Sequence, residues 1–218
     1  MVDTATAPSG NAWTRLANSN PIMEFIDVTL RGSGQVIFMD NPLTGLLNFV
    51  AMFVGAARGG TSFEVAIGSV IGTMVSTAMA YLLKANRGNL KAGIYGFNGM
   101  LVGACLPTFL AANPLMWLFL VVGSAVSTIV IMAVANFLAP YKMPAFTFPF
   151  VLTCWLIVLY AKKITGLPPS AGGPLPVGGF NFITAGLNSV SQVWFVADWV
   201  AGIIFLVALA VSLSGASP

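Results

Sequence analysis

Two short segments carry the residue types best suited to chemistry, and they match each other. Gln35, Val36 and Phe38 lie in the stretch GQVIFMDNPLTGLL, which begins at Gly34, and Gln192, Val193 and Phe195 lie in SQVWFVADWVAGII, which begins at Ser191. At this register of 157 positions (Gln35 to Gln192), Gln35/Gln192, Val36/Val193, Phe38/Phe195 and Gly45/Gly202 are identical. Leu46/Ile203, Leu47/Ile204 and Val50/Ala207 are apolar pairs. Each copy sets one carboxamide among apolar neighbours with an aromatic ring three residues on. An amide in a lipid-inserted segment must find a partner or face a cavity, so Gln35 reads as a cavity-facing acceptor. A single Phe in a chain with 16 of them reads by itself as a packing residue, and that holds for Phe38 and for Phe97.

The segment around the first copy is unusual for a spanning helix. EFIDVTLRGSGQVIFMDNP mixes Glu24, Asp27, Arg31, Gln35 and Asp40 with apolar residues and is broken by Gly32, Gly34 and Pro42. It reads as a short helix entering the membrane from one face, its backbone tolerable only where protein buries it or where it lines a cavity. The repeat therefore marks a pore-lining element.

Other chemistry is poorly supplied. There is no histidine, which removes the usual zinc or copper ligand and the usual proton shuttle near neutral pH. Cys105 and Cys154 lie in apolar runs without CxxC spacing and read as unreactive helix residues. No nucleophile–base pair, metal cluster or phosphate loop is present, so the expectation is no enzyme and no cofactor. The net charge of +3 is scattered, which leaves nucleic-acid binding without support. Asn-Pro pairs at Asn20, Asn41 and Asn113 lack a following alanine and do not recur at an inverted-repeat spacing, which disfavours an aquaporin-like pore.

The elements that must hold these residues are apolar helices. Hydrophobic residues make up 57% and charged residues 7%, against roughly 25% charged in an average soluble domain. Residues 1–20 are small and polar, without the apolar core of a signal peptide, and read as a flexible cytoplasmic tail. Five apolar runs follow: Leu43–Ala57, Phe63–Leu83, Gly93–Leu110, Leu115–Leu138 and Phe148–Ile164. A sixth, Trp199–Leu213, comes after the Pro/Gly-rich Thr165–Gly179. Some are shorter than the about 20 residues of a straight span, as suits helices packed inside a bundle. Gly68, Gly72 and Ser76 fall on one helix face, as do Gly93, Gly96, Gly99 and Gly103, which predicts close helix approach. For Gly68 and Gly72 this reads as bundle contact only.

Arg15, Arg31, Lys84, Arg87, Lys91 and Lys142 fall on the side of the N-terminus; Arg58, Lys162 and Lys163 fall on the other. This bias predicts a cytoplasmic N-terminus. A repeat unit with five spans is odd-numbered, so a second copy enters the membrane from the opposite side, as in the inverted repeats of transporters. No ionisable residue sits at the centre of a span, and Glu64 and Asp198 lie at span ends, which favours passive permeation over ion coupling.

Three motifs in order, LRGSGQVIFMDNPLTGLL (Leu30–Leu47), GIYGFNGMLVG (Gly93–Gly103) and PAFTFPFVL (Pro144–Leu152), closely resemble the urea transporter family. The resemblance runs from Asp27 to Ile164 and restarts at Asn188. It implies a channel-like urea pore between two inverted halves, each with five membrane helices and a pore helix, in a homotrimer of the cell (inner) membrane. It also implies roles: Gln35 as an acceptor oxygen, Phe38 as a slot wall with Val36 beside it, Phe97 and Leu101 as aromatic and aliphatic pore residues, and Thr147 as a further oxygen. Gln192, Val193 and Phe195 are the second-half equivalents. Such residues suit urea, a flat neutral solute whose faces can slide along apolar walls while acceptor oxygens replace lost water. Asn98 reads instead as a partner of a helix end or neighbouring helix, and Thr147 also as the cap of the helix beginning at Phe148.

The expected fold is thus an all-α integral membrane protein, an inverted-repeat urea-transporter-like bundle. Its first five-helix half with re-entrant pore helix would be complete and its second half truncated. The divisions are 1–20 tail, 21–164 first repeat, 165–187 linker and 188–218 start of the second repeat. The second YGFNG-like helix and TxPF turn are missing from the chain. Three readings stay open: a fragment, two chains assembling one pore in opposite orientations, or a non-conducting membrane scaffold. Other small neutral amides, ammonia or water also remain possible permeants beside urea.

Overall fold

The computed structural model describes residues 12–171 and 181–214. Three of its helices begin at an Asn-Pro pair. Asn20, Asn41 and Asn113 stand at N-cap positions in extended backbone, each with Pro at the first helical position. Their side-chain oxygens accept from Met23 N (2.9 Å), Leu43 N (2.9 Å) and Met116 N (2.8 Å). Asn satisfies a donor that the first turn cannot, and Pro has no N–H to orphan. The pairs that carry no aquaporin signal thus start α2 (Pro21–Gly34), α3 (Pro42–Ala57) and α7 (Pro114–Leu138).

The remaining helices are α1 (Ala12–Ala17), α4 (Phe63–Leu82), α5 (Arg87–Lys91), α6 (Gly96–Phe109), α8 (Phe148–Lys163), α9 (Phe182–Gln192) and α10 (Trp199–Leu213). The architecture is all-α, as the sequence predicts; among the described residues the one extended pairing is an isolated bridge between Leu110 and Pro169. Each of the six apolar runs carries a helix. Two of these, α4 and the α7 stretch Pro114–Tyr141, are long and apolar enough to cross a membrane unaided. The run from Gly93 yields only the 14 residues of α6, about 21 Å at the helical rise. That helix is buried from Gly96 through Pro107, so its surroundings are protein on all sides.

Two stretches differ from the sequence reading. Residues 12–17, inside the segment read as a flexible tail, form α1, whose Trp13 indole donates to Asp27 Oδ1 at 2.6 Å. Helix α9 starts at Phe182, inside the 165–187 linker; residues 172–180 of that linker lie outside the described residues.

The core of the bundle is the α4–α6 pair. A Cβ added at Gly68 would lie 2.3 Å from Gly103 O, and one at Gly72 would lie 2.1 Å from Gly99 O. The reciprocal positions are as tight, with Gly103 2.0 Å from Gly68 O and Gly99 2.4 Å from Gly72 O. In lipid, where apolar burial gives helices little reason to associate, such backbone contact supplies the dispersion energy. Ser76 then ties α4 to α7, its hydroxyl 2.8 Å from Ser124 O and 2.9 Å from Thr128 Oγ1. On the other flank α3 packs against both α2 and α10. Asn48 Nδ2 donates to Ser33 O at 3.0 Å, and Thr44 Oγ1 donates to Ala208 O at 2.9 Å.

Candidate functional site

The chain makes the same turn twice. After α2, a short 3-10 turn over Gln35–Ile37 ends at Phe38 in the left-handed conformation (φ 60°), and the path then bends by 74° into α3. After α9, Phe195 takes φ 62°. The hydrogen bonds repeat at the same offset: Phe38 N to Gln35 O and Phe195 N to Gln192 O, both 3.0 Å. Met39 N reaches Gly34 O at 3.1 Å, and Val196 N reaches Ser191 O at 3.3 Å. The glycines repeat as well. A Cβ at Gly45 would lie 1.7 Å from Leu30 O, and one at Gly202 would lie 2.2 Å from Leu187 O. Only a residue without a side chain lets the following helix lie against the preceding one so closely. A bulky residue with positive φ is an uncommon, strained state that its surroundings must enforce.

The first turn opens into a cleft of about 480 Å³, lined by Gln35, Phe38, Tyr95, Phe97, Asn136 and Phe146 among others. Gln35 Nε2 donates to Ala92 O at 2.7 Å. Because a carbonyl can only accept, this bond fixes the amide orientation and leaves Oε1 as the end available to an incoming donor. The rings of Phe38 and Phe146 meet edge-to-face, with centroids 5.5 Å apart and planes at 76°. Gln35, Phe38 and Phe97 are therefore brought together. Val36 and Leu101 are not; both are buried in the hydrophobic core.

Thr147 stands at the N-cap position of α8, but its side chain makes no capping hydrogen bond. Asn98 does that work from α6, its Oδ1 accepting from Phe150 N at 3.0 Å while its Nδ2 donates to Phe146 O at 3.5 Å. The capping reading of Thr147 is thus corrected, because a side chain arriving from another helix has the better approach. Asn98 partners a helix end, as its sequence context predicts.

The second turn opens into a different cleft of about 580 Å³, whose lining includes Gln192, Phe195, Thr61, Glu64 and Thr108. Phe195 also borders an apolar cleft of about 490 Å³ running along α8, past Cys105, Phe150 and Cys154. Its ring stands edge-on to Phe109 (6.2 Å) and to Phe150 (6.3 Å). Gln192 and Val193 are exposed. Both cysteines are free and buried. The first-turn and second-turn residues thus lie in two separate clefts, with α6 running from Phe97 in the first to Pro107 and Thr108 in the second.

Charges flank the turns without entering the clefts, apart from Glu64 at the second. Arg31 pairs with Asp27 at 2.7 Å and with Asp40 beside the first turn. Arg58 pairs with Asp198 at 2.9 Å and lies 5.6 Å from the Trp199 ring centroid beside the second. Ala197 N also donates to Gly60 O at 2.7 Å, so the loop after α3 clasps the second turn. Among the described residues no group of three or more His, Cys, Asp or Glu could hold a metal ion.

Phe146, like Tyr95 and Asn136, is a lining residue that sequence reasoning missed. It lies inside the PAFTFPFVL motif, but neither a glycine nor an asparagine marks its left-handed backbone (φ 47°), and only the fold sets it opposite Phe38.

The sequence pattern of the family described as "Urea transporter" matches residues 26–215. Among known proteins, the chain is 34% identical over 131 residues to urea transporter 1 of Ovis aries, a match covering 59% of this chain and 33% of that protein. It is 33% identical over 132 residues to urea transporter 1 of Mus musculus, covering 59% and 33% respectively. The match spans about a third of the length of these relatives. A family pattern that runs through both turns, from α2 to the end of α10, leaves one conclusion: this chain belongs to the urea transporter family, a family of membrane transporters and not of enzymes.

Proposed function

We propose that this chain lines a passive, channel-like path for urea across the cell (inner) membrane, with its N-terminus in the cytoplasm. The observation that carries the reading is the doubled turn, in which a glutamine is followed by a left-handed Phe at the mouth of a cleft. In this reading Gln35 Oε1 and the Thr147 hydroxyl accept urea N–H groups in place of water, and Phe38, Phe97 and Phe195 form apolar walls. Gln192 and Val193 serve the second turn as Gln35 and Val36 serve the first, and Leu101 backs the wall from the core. An acceptor at each stage offsets a desolvation cost of several kcal/mol per polar group. Bare ions find no such compensation along walls of Phe.

The 157-residue register supports two repeats, 21–164 and the start of a second from 188, related by inversion across the membrane. The homotrimer implied by the family resemblance belongs to the same reading.

The test is stopped-flow light scattering on proteoliposomes containing the 218-residue chain, comparing urea with an N-alkylated urea, ammonia and water. Fast, saturable urea flux that excludes the bulkier analogue supports the proposal. Equal passage of ammonia or water would widen the substrate class. Flux no greater than that of empty liposomes, from folded protein, would overturn it in favour of a non-conducting membrane scaffold.

A further inference from the structure

We propose that Phe146 is the second wall of the first slot, closing it against Phe38 and setting the thickness of solute that passes. The inference rests on the permeation reading above and adds a residue that the motif correspondence does not supply. Phe146 lines the same cleft as Gln35, Phe38 and Phe97, and its ring stands edge-on to Phe38 with centroids 5.5 Å apart. A flat solute held between two parallel rings needs a contact of about 3.5 Å on each side, which sets the centroids about 7 Å apart. The observed arrangement is too close and turned by 76°, so it is a closed slot. Opening requires the rings to part and to turn toward parallel.

Both rings have room to do so: Phe146 is 53% and Phe38 60% exposed, and each is the other's sole close aromatic partner among the described residues, whereas Phe195 is held edge-on by two rings. Phe146 holds φ 47°, a state a bulky side chain keeps only where neighbours enforce it. Asn98 enforces it from both sides, donating to Phe146 O and accepting from Phe150 N. The main chain is thus anchored to α6 one position from Phe97, while the ring projects beyond the anchor into the cleft. Methyl hydrogens stand out of the plane of an N-alkylated urea, and a slot set by two ring faces penalises that added thickness.

The experiment has two arms. In proteoliposomes, Phe146→Ala should raise N-methylurea flux more than urea flux, shifting their ratio by about tenfold, since one excluded methyl in a tight pocket is worth that order. An unchanged ratio in a folded variant would overturn the proposal. The second arm needs no transport: in purified protein the indole of a Phe146→Trp variant is followed by fluorescence, against the unchanged chain, during titration with urea or with glycerol at equal osmolarity. A saturable change in urea and none in glycerol is the expected result. Equal responses to both, or none, in a folded variant would overturn the slot. A wild-type chain that passes no urea while the indole still responds to it would sink the transport reading and leave the slot standing.

Discussion

Phe38 and Phe195 hold nearly the same backbone, φ 60° and 62°, yet their surroundings are unlike. Phe38 is 60% exposed and touches one ring; Phe195 is half-buried between Phe109 and Phe150. Gln35 is tied by its amide to Ala92 O, whereas Gln192 is exposed. The first turn is supported from below by the segment leading into α6, the second from outside by the loop carrying Arg58 and Gly60. A turn is a local object, fixed by a short stretch of chain and a glycine that lets two helices meet. What the turn faces is set by elements far away in sequence, and these two turns meet different ones.

The largest effect that tests this comparison comes from the paired glycines. Gly45→Ala forces a Cβ into Leu30 O inside the α2–α3 contact and should cost about 3 kcal/mol, as overpacking against rigid backbone does. Gly202→Ala meets Leu187 O on α9, whose one buried residue is Ser191, and should cost less because that helix can yield. Thermal unfolding in detergent compares the two; equal losses would mean that both turns are held with the same rigidity.

Arg58→Ala removes the partner of the buried Asp198 carboxylate. The expected loss is about 1–2 kcal/mol, below the usual cost of breaking a buried pair because Arg58 is half exposed and solvent screens it. Hydrogen exchange should quicken at Ala197 N–H in the second turn and stay unchanged at Phe38 N–H in the first. Acceleration at both would show the turns to be coupled.

Gln35→Leu orphans Ala92 O and should destabilise by about 1–2 kcal/mol, while Gln192→Leu should stay within about 0.5 kcal/mol. Both should lower urea flux if the oxygens act in permeation. Denaturant titration separates stability from flux here, and a matching stability loss at Gln192 would contradict the difference between the turns. Thr147→Val is the mildest change: with Asn98 capping α8, stability should hold to within about 0.5 kcal/mol while urea flux falls.

Much of this was legible in the residues. The six apolar runs carry helices close to the expected bounds, because hydropathy and helix breakers are local signals. Gly68 and Gly72 meet Gly103 and Gly99 across a helix pair as their spacing implies. The Asn-Pro pairs were visible but their use as helix starts went unread, since it depends on Asn side chains reaching N–H groups ahead of them. Residues 12–17 read as tail because nothing in a short polar stretch announces that Trp13 will reach Asp27.

The sequence by itself determined the all-α membrane class, the family, and the doubled segment around Gln35 and Gln192, because each follows from composition, short motifs and a fixed register. Only the tertiary structure decided that Asn98 rather than Thr147 caps α8, that Leu101 is buried in the core, and that Phe146 stands against Phe38. Each of these depends on which helix arrives beside which. That is settled by backbone approach at small residues and by hydrogen bonds between segments dozens of positions apart, such as Gln35 with Ala92 and Asn98 with Phe150.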